Sequence, residues 1–220
     1  MNIIKPSVVL EDSIDGIKII KAIEKAGRTC YKSDKKITKD SAIPFIKNAI
    51  KMGHFSIIEH EKVSATVICD RGVLTEITRH RLGSYSVEST RYVNYKEGID
   101  VIDPIFWPDI KENQYIRGIW SNAMKTAEKV YRQMIEAGAK PEQARTVLPN
   151  SLKTEIVMTY NLRAWRHFIW LRGSKGAHIQ IRQIACMVLE LMQKKIPAVL
   201  DDFILDEKNL LIRTDILPAS

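Results

Sequence analysis

Arg79-His80-Arg81-Leu82-Gly83-Ser84-Tyr85-Ser86-Val87-Glu88-Ser89-Thr90-Arg91-Tyr92 gathers three guanidinium groups, an imidazole and several hydroxyls in one short run. Guanidinium forks match phosphate and carboxylate oxygens two at a time, so the run points to anion binding with a histidine beside it. A second polar set lies in Asn161-Leu162-Arg163-Ala164-Trp165-Arg166-His167-Phe168-Ile169-Trp170-Leu171-Arg172. Periodicity from Ser151 to about Arg172 predicts one helix there. It places Arg163 and His167 on one face, and Asn161, Trp165 and Arg172 on another, roughly opposite. Leu152, Ile156, Met158, Leu162, Phe168 and Ile169 make much of that helix apolar. Arg163, His167 and Arg172 then need partners or a bound anion, because an unpaired buried charge is costly. Internal salt bridges, to Glu155 or Glu190, are the purely structural alternative.

Several site types are excluded by what is missing. No GxGxxG opens a helix after a strand and no GxxxxGK[ST] occurs, so neither a Rossmann fold nor a P-loop is expected. No HExxH or CxxC supports a metal, and His54 with His60 makes a weak ligand pair. Without a GxSxG elbow, Ser89 has no support as a hydrolase nucleophile. Neither polar run holds a cysteine, which argues against thiol catalysis there. The remaining reading is a site that holds phosphorylated ligands and stabilises developing negative charge. Difficult chemistry would fall to an organic cofactor.

The elements that must carry these residues follow from periodicity. Residues 7–10 read as a strand, and Asp15 to Ala26 as a helix capped by Gly27. A second helix runs from about Ser41 to Met52, with Pro44 in its first turn and Gly53 as its stop. Residues 54–60 have no clean period. Val63, Ala65, Val67 and Cys69 alternate with polar or solvent-side residues, which predicts a strand. Asp70 caps a helix reaching about Thr78, and Tyr92 to Tyr95 looks extended. A long helix spans about Gln114 to Ala137, with Ile116, Ile119, Trp120, Ala123, Ala127, Val130, Tyr131 and Met134 inward. Residues 140–149 form one or two helical turns, and a last helix runs from about Ala177 to Lys195. The sum is a single α+β domain over residues 1–220, helix-rich around a modest antiparallel or mixed sheet.

The totals bound the partners. The chain has 220 residues, 45% hydrophobic and 27% charged, as in globular proteins. No 18-residue apolar run predicts a membrane span, and Met1 to Pro6 lacks the layout of a signal peptide. Three cysteines without CxxC spacing fit reduced thiols and a cytoplasmic location. A net charge of +8 favours anionic partners: nucleic acid, nucleotides, phosphorylated cofactors or polyglutamates. Lysines crowd 18–25, 32–39 and 47–51 as a solvated surface, whereas arginines crowd 79–91 and 163–182.

Arg-His-Arg followed after seven residues by Ser89 resembles the signature of the flavin-dependent thymidylate synthases. The segment from His54 to His60 resembles the one preceding that signature. Arg145-Thr146-Val147-Leu148-Pro149 resembles the family's ARxxLP element, and Asn161-x-Arg163, His167 and Leu171-Arg172 its C-terminal elements. These agree in order and spacing from about residue 28 to 190. The resemblance implies FAD bound without a Rossmann motif, and a homotetramer whose active sites draw on more than one subunit. It implies methylation of dUMP to dTMP, with carbon from 5,10-methylenetetrahydrofolate, reducing power from NADPH through the flavin, and release of tetrahydrofolate. It assigns Ser56, Arg79, His80, Arg81, Asn161, Arg163 and His167 to FAD. It assigns Glu76, Arg79, Glu88, Ser89, Thr90, Arg91, Arg145 and Arg172 to dUMP, with backbone amides near Glu88 and Thr90 at the phosphate and Arg172 as the catalytic group. No metal, nucleic acid or membrane partner is implied.

The chain departs from the family pattern at four places. Glu76 stands where glutamine is frequent. Ser86-Val87-Glu88-Ser89 replaces the frequent Asn-Glu-x-Ser, moving the acid one place and, on an extended segment, to the other face. Cys30 stands where serine is often found, and the 173–176 loop is slightly longer than in some members. A reading from a different class is a basic nucleic-acid-binding protein without catalysis. Against it, the arginines lie on apolar helices and lack exposed aromatic interleaving.

Overall fold

Alternating burial decides the longest disagreement between periodicity and structure. In the computed structural model, which describes residues 1–11, 14–108 and 110–216, Thr154, Ile156, Met158 and Tyr160 are buried while their neighbours are not. That is a period of two, and residues Lys153–Asn161 form a strand. The expected helix from Ser151 therefore does not begin until Leu162. The four-residue steps Leu152 to Ile156 and Met158 to Leu162 fit either period, and the β-branched Thr154, Ile156, Val157 and Thr159 tip the segment to a strand.

In chain order the elements are β1 (Asn2–Ile4), β2 (Ser7–Leu10), α1 (Gly16–Thr29), α2 (Ala42–Lys51), β3 (Lys62–Asp70), α3 (Arg71–Ile77), β4 (Ser84–Val87) and β5 (Asp100–Ile102). They continue with α4 (Gln114–Glu136), α5 (Pro141–Ala144), β6 (Lys153–Asn161), α6 (Leu162–Gly173), α7 (Ile179–Lys195), α8 (Pro197–Leu200), β7 (Ile204–Asp206) and β8 (Leu211–Arg213). A four-stranded sheet has the order β2-β3-β6-β4; β1 pairs parallel with β5, and β7 antiparallel with β8. Helix and small sheets together make the expected α+β class. The strand in the Arg79–Tyr92 run is β4, inside it, and Tyr92 to Tyr95 is not a strand. Helix α1 also runs through Gly27, where an added Cβ would lie 2.8 Å from the Phe45 ring of α2. Gly27 permits that close approach and does not end the helix.

The chain divides into two compact units: Met1–Ser7, Val67–Arg79 and Ser86–Ile156 in the first, Val8–Thr66, His80–Tyr85 and Val157–Ser220 in the second. The first has a core of Ile99, Val101, Met124 and Leu152, with Met1, Tyr95, Trp120 and Leu148 packed on it. Its α4 buries Met124 and Tyr131. Ile116 and Ile119, expected inward, are 43% and 55% exposed, beside Tyr115 at 80%. Its amphipathic pattern is present, but its N-terminal apolar side faces outward.

The second unit packs α6 on α7 around Trp165, Phe168, Ile169, Ile184 and Val188, all buried. Trp165 donates its indole N–H to the Val63 carbonyl at 2.9 Å. Arg166 is wholly buried in this core. Its two terminal nitrogens meet the two carboxylate oxygens of Asp202 at 2.6 and 2.7 Å, and its guanidinium lies 4.7 Å from the Phe203 ring centre. Asp202 also accepts the Thr214 hydroxyl at 2.6 Å. Removing one partner of such a pair strands a buried charge. Asp202→Ala is accordingly expected to lower stability by about 3–5 kcal/mol. The check is the urea midpoint, and a fall of less than about 1 kcal/mol would show that the pair is not essential.

Candidate active site

In the second unit, the first turn of α6 is set by Asn161, whose side-chain oxygen accepts the Ala164 amide at 2.8 Å. Asn161 is thus an N-cap at the strand end and does not share a helix face with Trp165 and Arg172 as expected. From that start the helix brings His167, Phe168 and Arg172 to His80. Arg172 Nε donates to His80 Nε2 at 2.9 Å. The His80 ring is edge-on to Phe168 at 5.0 Å and to His167 at 5.8 Å. Because a guanidinium can only donate, His80 Nε2 is an acceptor and the ring proton is assigned to Nδ1. Burial, then the Arg172 charge, then His167, push the His80 pKa down to about 4. Burial and Arg172 also lower that of His167. Both are neutral imidazoles at pH 7.

The turn that carries His80 is held from below. The Tyr85 hydroxyl donates to the His80 carbonyl and lies 2.5 Å from the Tyr160 hydroxyl. Gly83 lies against the Tyr160 ring, where an added Cβ would come within 1.9 Å of Cε1. Arg81 is exposed on this turn. Arg163 pairs with Glu59 at 2.5 Å, a carboxylate that periodicity did not offer. Arg163 also lines a cleft of about 690 Å³ with Ser56, Cys30, Phe45, Met52 and His54. The structure therefore brings Ser56 together with Arg163, and His80 with His167 and Arg172.

In the first unit, Arg79 is exposed just after α3, and its amide donates to the Glu76 carbonyl. Beyond β4, Ser89 Oγ accepts the Arg91 amide at 3.3 Å, and the Ser89 carbonyl accepts those of Tyr92 and Val93. These bonds fold Ser89, Thr90 and Arg91 into a tight polar turn. Arg91 Nε meets Glu142 of α5 at 3.0 Å in an exposed pair. Arg145, one turn further on, places a terminal nitrogen 3.5 Å from the Thr90 hydroxyl. Glu88 is committed elsewhere: its amide donates to the Glu155 carbonyl, and its carboxylate meets Lys153 and the Tyr95 hydroxyl at 2.8 and 2.7 Å. The amide and the carboxylate of Glu88 itself are thus both taken, and the residue anchors the turn. Thr90, Arg91 and Arg145 do gather. Glu59, Glu142, Lys153 and Tyr160 were not legible, because their partners are distant in sequence.

Residues 17–198 match the family model described as thymidylate synthase complementing protein. A flavin-dependent thymidylate synthase from Mycobacterium tuberculosis is 35% identical over 199 residues, covering 82% of this chain and 78% of its own. That of Mycobacterium avium is 36% identical over 195 residues, with the same coverage. Among solved structures, a UMP/dUMP methylase, PolB, from Streptomyces cacaoi bound with 5-Br dUMP superposes with a TM-score of 0.78. It is 22% identical and covers 91% of this chain and 96% of its own.

The buried imidazoles make a pH test. His80 titrates near 4 in the fold against an ordinary 6.5. Between those values the unfolded chain binds a proton that the fold refuses, so stability falls as pH drops from about 6.5 towards 4. His80→Gln removes that component, leaving the smaller one of His167. The parent's urea midpoint should fall more than the variant's between pH 7 and pH 5. Parallel curves would mean that His80 titrates normally.

Proposed function

The chain belongs to the thymidylate synthase complementing protein family, and from that premise we propose that it is a flavin-dependent thymidylate synthase that methylates dUMP to dTMP. The observation that carries this reading is the bond from Arg172 to His80. Within the second unit it joins His80, the centre of the Arg-His-Arg signature, to the Leu171-Arg172 element. We further assign 5,10-methylenetetrahydrofolate as carbon donor and NADPH as reductant, with tetrahydrofolate released. Residues 1–220 are read as one such domain, matched by the family model across most of its length.

The residues present fit FAD. The cleft combines an apolar floor (Phe45, Met52) with the Ser56 hydroxyl and the Arg163 guanidinium, suited to a ligand with flat rings and a pyrophosphate. His80 and His167 add neutral imidazoles, and Asn161, Arg79 and Arg81 complete the set proposed for it. FAD, when bound and reduced by NADPH, supplies the hydride that turns the transferred carbon into a methyl group. The protein's own share is binding and electrostatics. Arg172 stabilises negative charge on the uracil as N3 ionises, raising electron density at C5. A guanidinium stays charged at any working pH, which suits that role. Ser89, Thr90, Arg91 and Arg145 hold the phosphate, and Glu76 and Arg79 flank the nucleotide. Arg91 can leave Glu142 for a phosphate dianion because an exposed pair is worth little.

A homotetramer with shared sites is proposed on the outward apolar side of α4, where Tyr115, Ile116 and Ile119 lie exposed. A cytoplasmic location is proposed on the three free cysteines.

The direct test supplies purified, FAD-loaded protein with NADPH, 5,10-methylenetetrahydrofolate and dUMP, and measures dTMP. Oxidation of NADPH without any dTMP would overturn the assignment. Arg172→Ala should lower turnover about 10²–10³-fold with the flavin still bound; turnover within a few-fold of the parent would remove its electrostatic role. Arg91→Ala should act mainly on the KM for dUMP. Ile116→Asp/Ile119→Asp should reduce the mass seen by light scattering, whereas an unchanged mass would place the interface elsewhere.

A further inference from the structure

Tyr160 is a buried residue of β6 that touches the His80 turn at three points. Its ring packs under Gly83 with no room for a Cβ, it lies 6.3 Å from the His80 ring, and its hydroxyl is 2.5 Å from that of Tyr85. On its other sides are Trp165 at 4.8 Å and Phe168 at 6.1 Å. Phenylalanine would fill such a place equally well without desolvating a hydroxyl. Tyr85 has one hydroxyl hydrogen, and it donates to the His80 carbonyl. Tyr160 must then be the donor to Tyr85. Burial raises both phenol pKa values, so the two hydroxyls remain protonated donors at any working pH. The direction of the chain is fixed: Tyr160 to Tyr85 to the backbone of His80.

We propose that Tyr85 and Tyr160 are positioning residues for His80: the two hydroxyls hold its carbonyl while Arg172 holds its ring, so that the imidazole presents Nδ1–H as a donor to the flavin. The proposal rests on the flavin-binding reading of His80. Neither tyrosine touches reacting atoms in this account. Their effect passes through the peptide of His80 and the orientation of its ring. The hold is two-point, which a single bond to either end of the residue would not achieve.

The test uses the full-length Tyr85→Phe/Tyr160→Phe double variant. Tyr85→Phe alone would take the partner from a buried Tyr160 hydroxyl and could act through stability, whereas the double variant removes both hydroxyls and keeps both rings. Its melting temperature should stay within a few degrees of the parent's. The Kd for FAD, read by flavin fluorescence, should rise about 5- to 10-fold, the worth of about one net hydrogen bond. In the FAD-free protein, imidazole nitrogen NMR should show His80 as a single Nδ1–H tautomer in the parent and as a tautomer mixture in the variant. Unchanged Kd and an unchanged imidazole spectrum would overturn the proposal. A lower melting temperature with both of those unchanged would reduce the pair to a stability element, which also overturns it. A parent that binds no FAD would sink the flavin reading, and the imidazole spectra would still decide whether the tyrosines orient His80.

Discussion

The chain turns from strand to helix at Asn161, and the candidate site in the second unit depends on where that turn falls. The side-chain oxygen of Asn161 takes the Ala164 amide, and the Leu162 amide is bonded to the Glu61 carbonyl. An N-cap of this kind is worth about 1 kcal/mol, small against the burial of Trp165 and Phe168. Its consequence is phase. A helix begun at Leu162 sends Arg166 to Asp202 in the core, and His167 and Arg172 to the side where His80 lies. Begun a residue earlier or later, the same sequence would rotate each of these by about 100°.

The two units carry different chemistry. Around His80 in the second, the polar groups are largely neutral: two imidazoles with depressed pKa values and two protonated phenols, among Phe168 and Trp165. Arg172 is the cation there, and its charge helps keep the imidazoles unprotonated. In the first unit, around Ser89, exposed guanidinium groups flank a buried hydroxyl, with Arg91 against Glu142 and Arg145 beside Thr90. Neutral, buried groups suit a ligand recognised by directed hydrogen bonds. Exposed forks suit a solvated phosphate.

Where a local pattern and a chemical motif agreed, the sequence was a good guide. The strand that ends at Asp70, the cap that Asp70 supplies to α3 through the Val73 amide, and the stop of α2 at Gly53 with φ 76° all follow from neighbours in the chain. The second polar set misled because the four-residue steps Leu152 to Ile156 and Met158 to Leu162 satisfy both periods, and the β-branched run and pairing in the sheet decide between them. Ile116 and Ile119 misled in another way: their amphipathic spacing is real, but spacing does not say whether the apolar side meets this chain. Arg163 called for a carboxylate, and periodicity offered no way to choose Glu59 over Glu155 or Glu190. Partners about 100 residues apart leave no mark in a single sequence.

Glu88 shows how far one position can change a role. The acid stands one place later than in the related motif, and a shift of one along an extended segment exchanges faces. On the face where it falls, its carboxylate is taken by Lys153 and by the Tyr95 hydroxyl, and its amide by Glu155. A half-buried carboxylate with two such partners is held in place, and the turn that begins at the next residue inherits that rigidity. Ser89, Thr90 and Arg91 thus start from a fixed point. An acid without these partners would have left the Ser89–Arg91 turn with one anchor fewer, so the shift works towards pre-organisation of that turn.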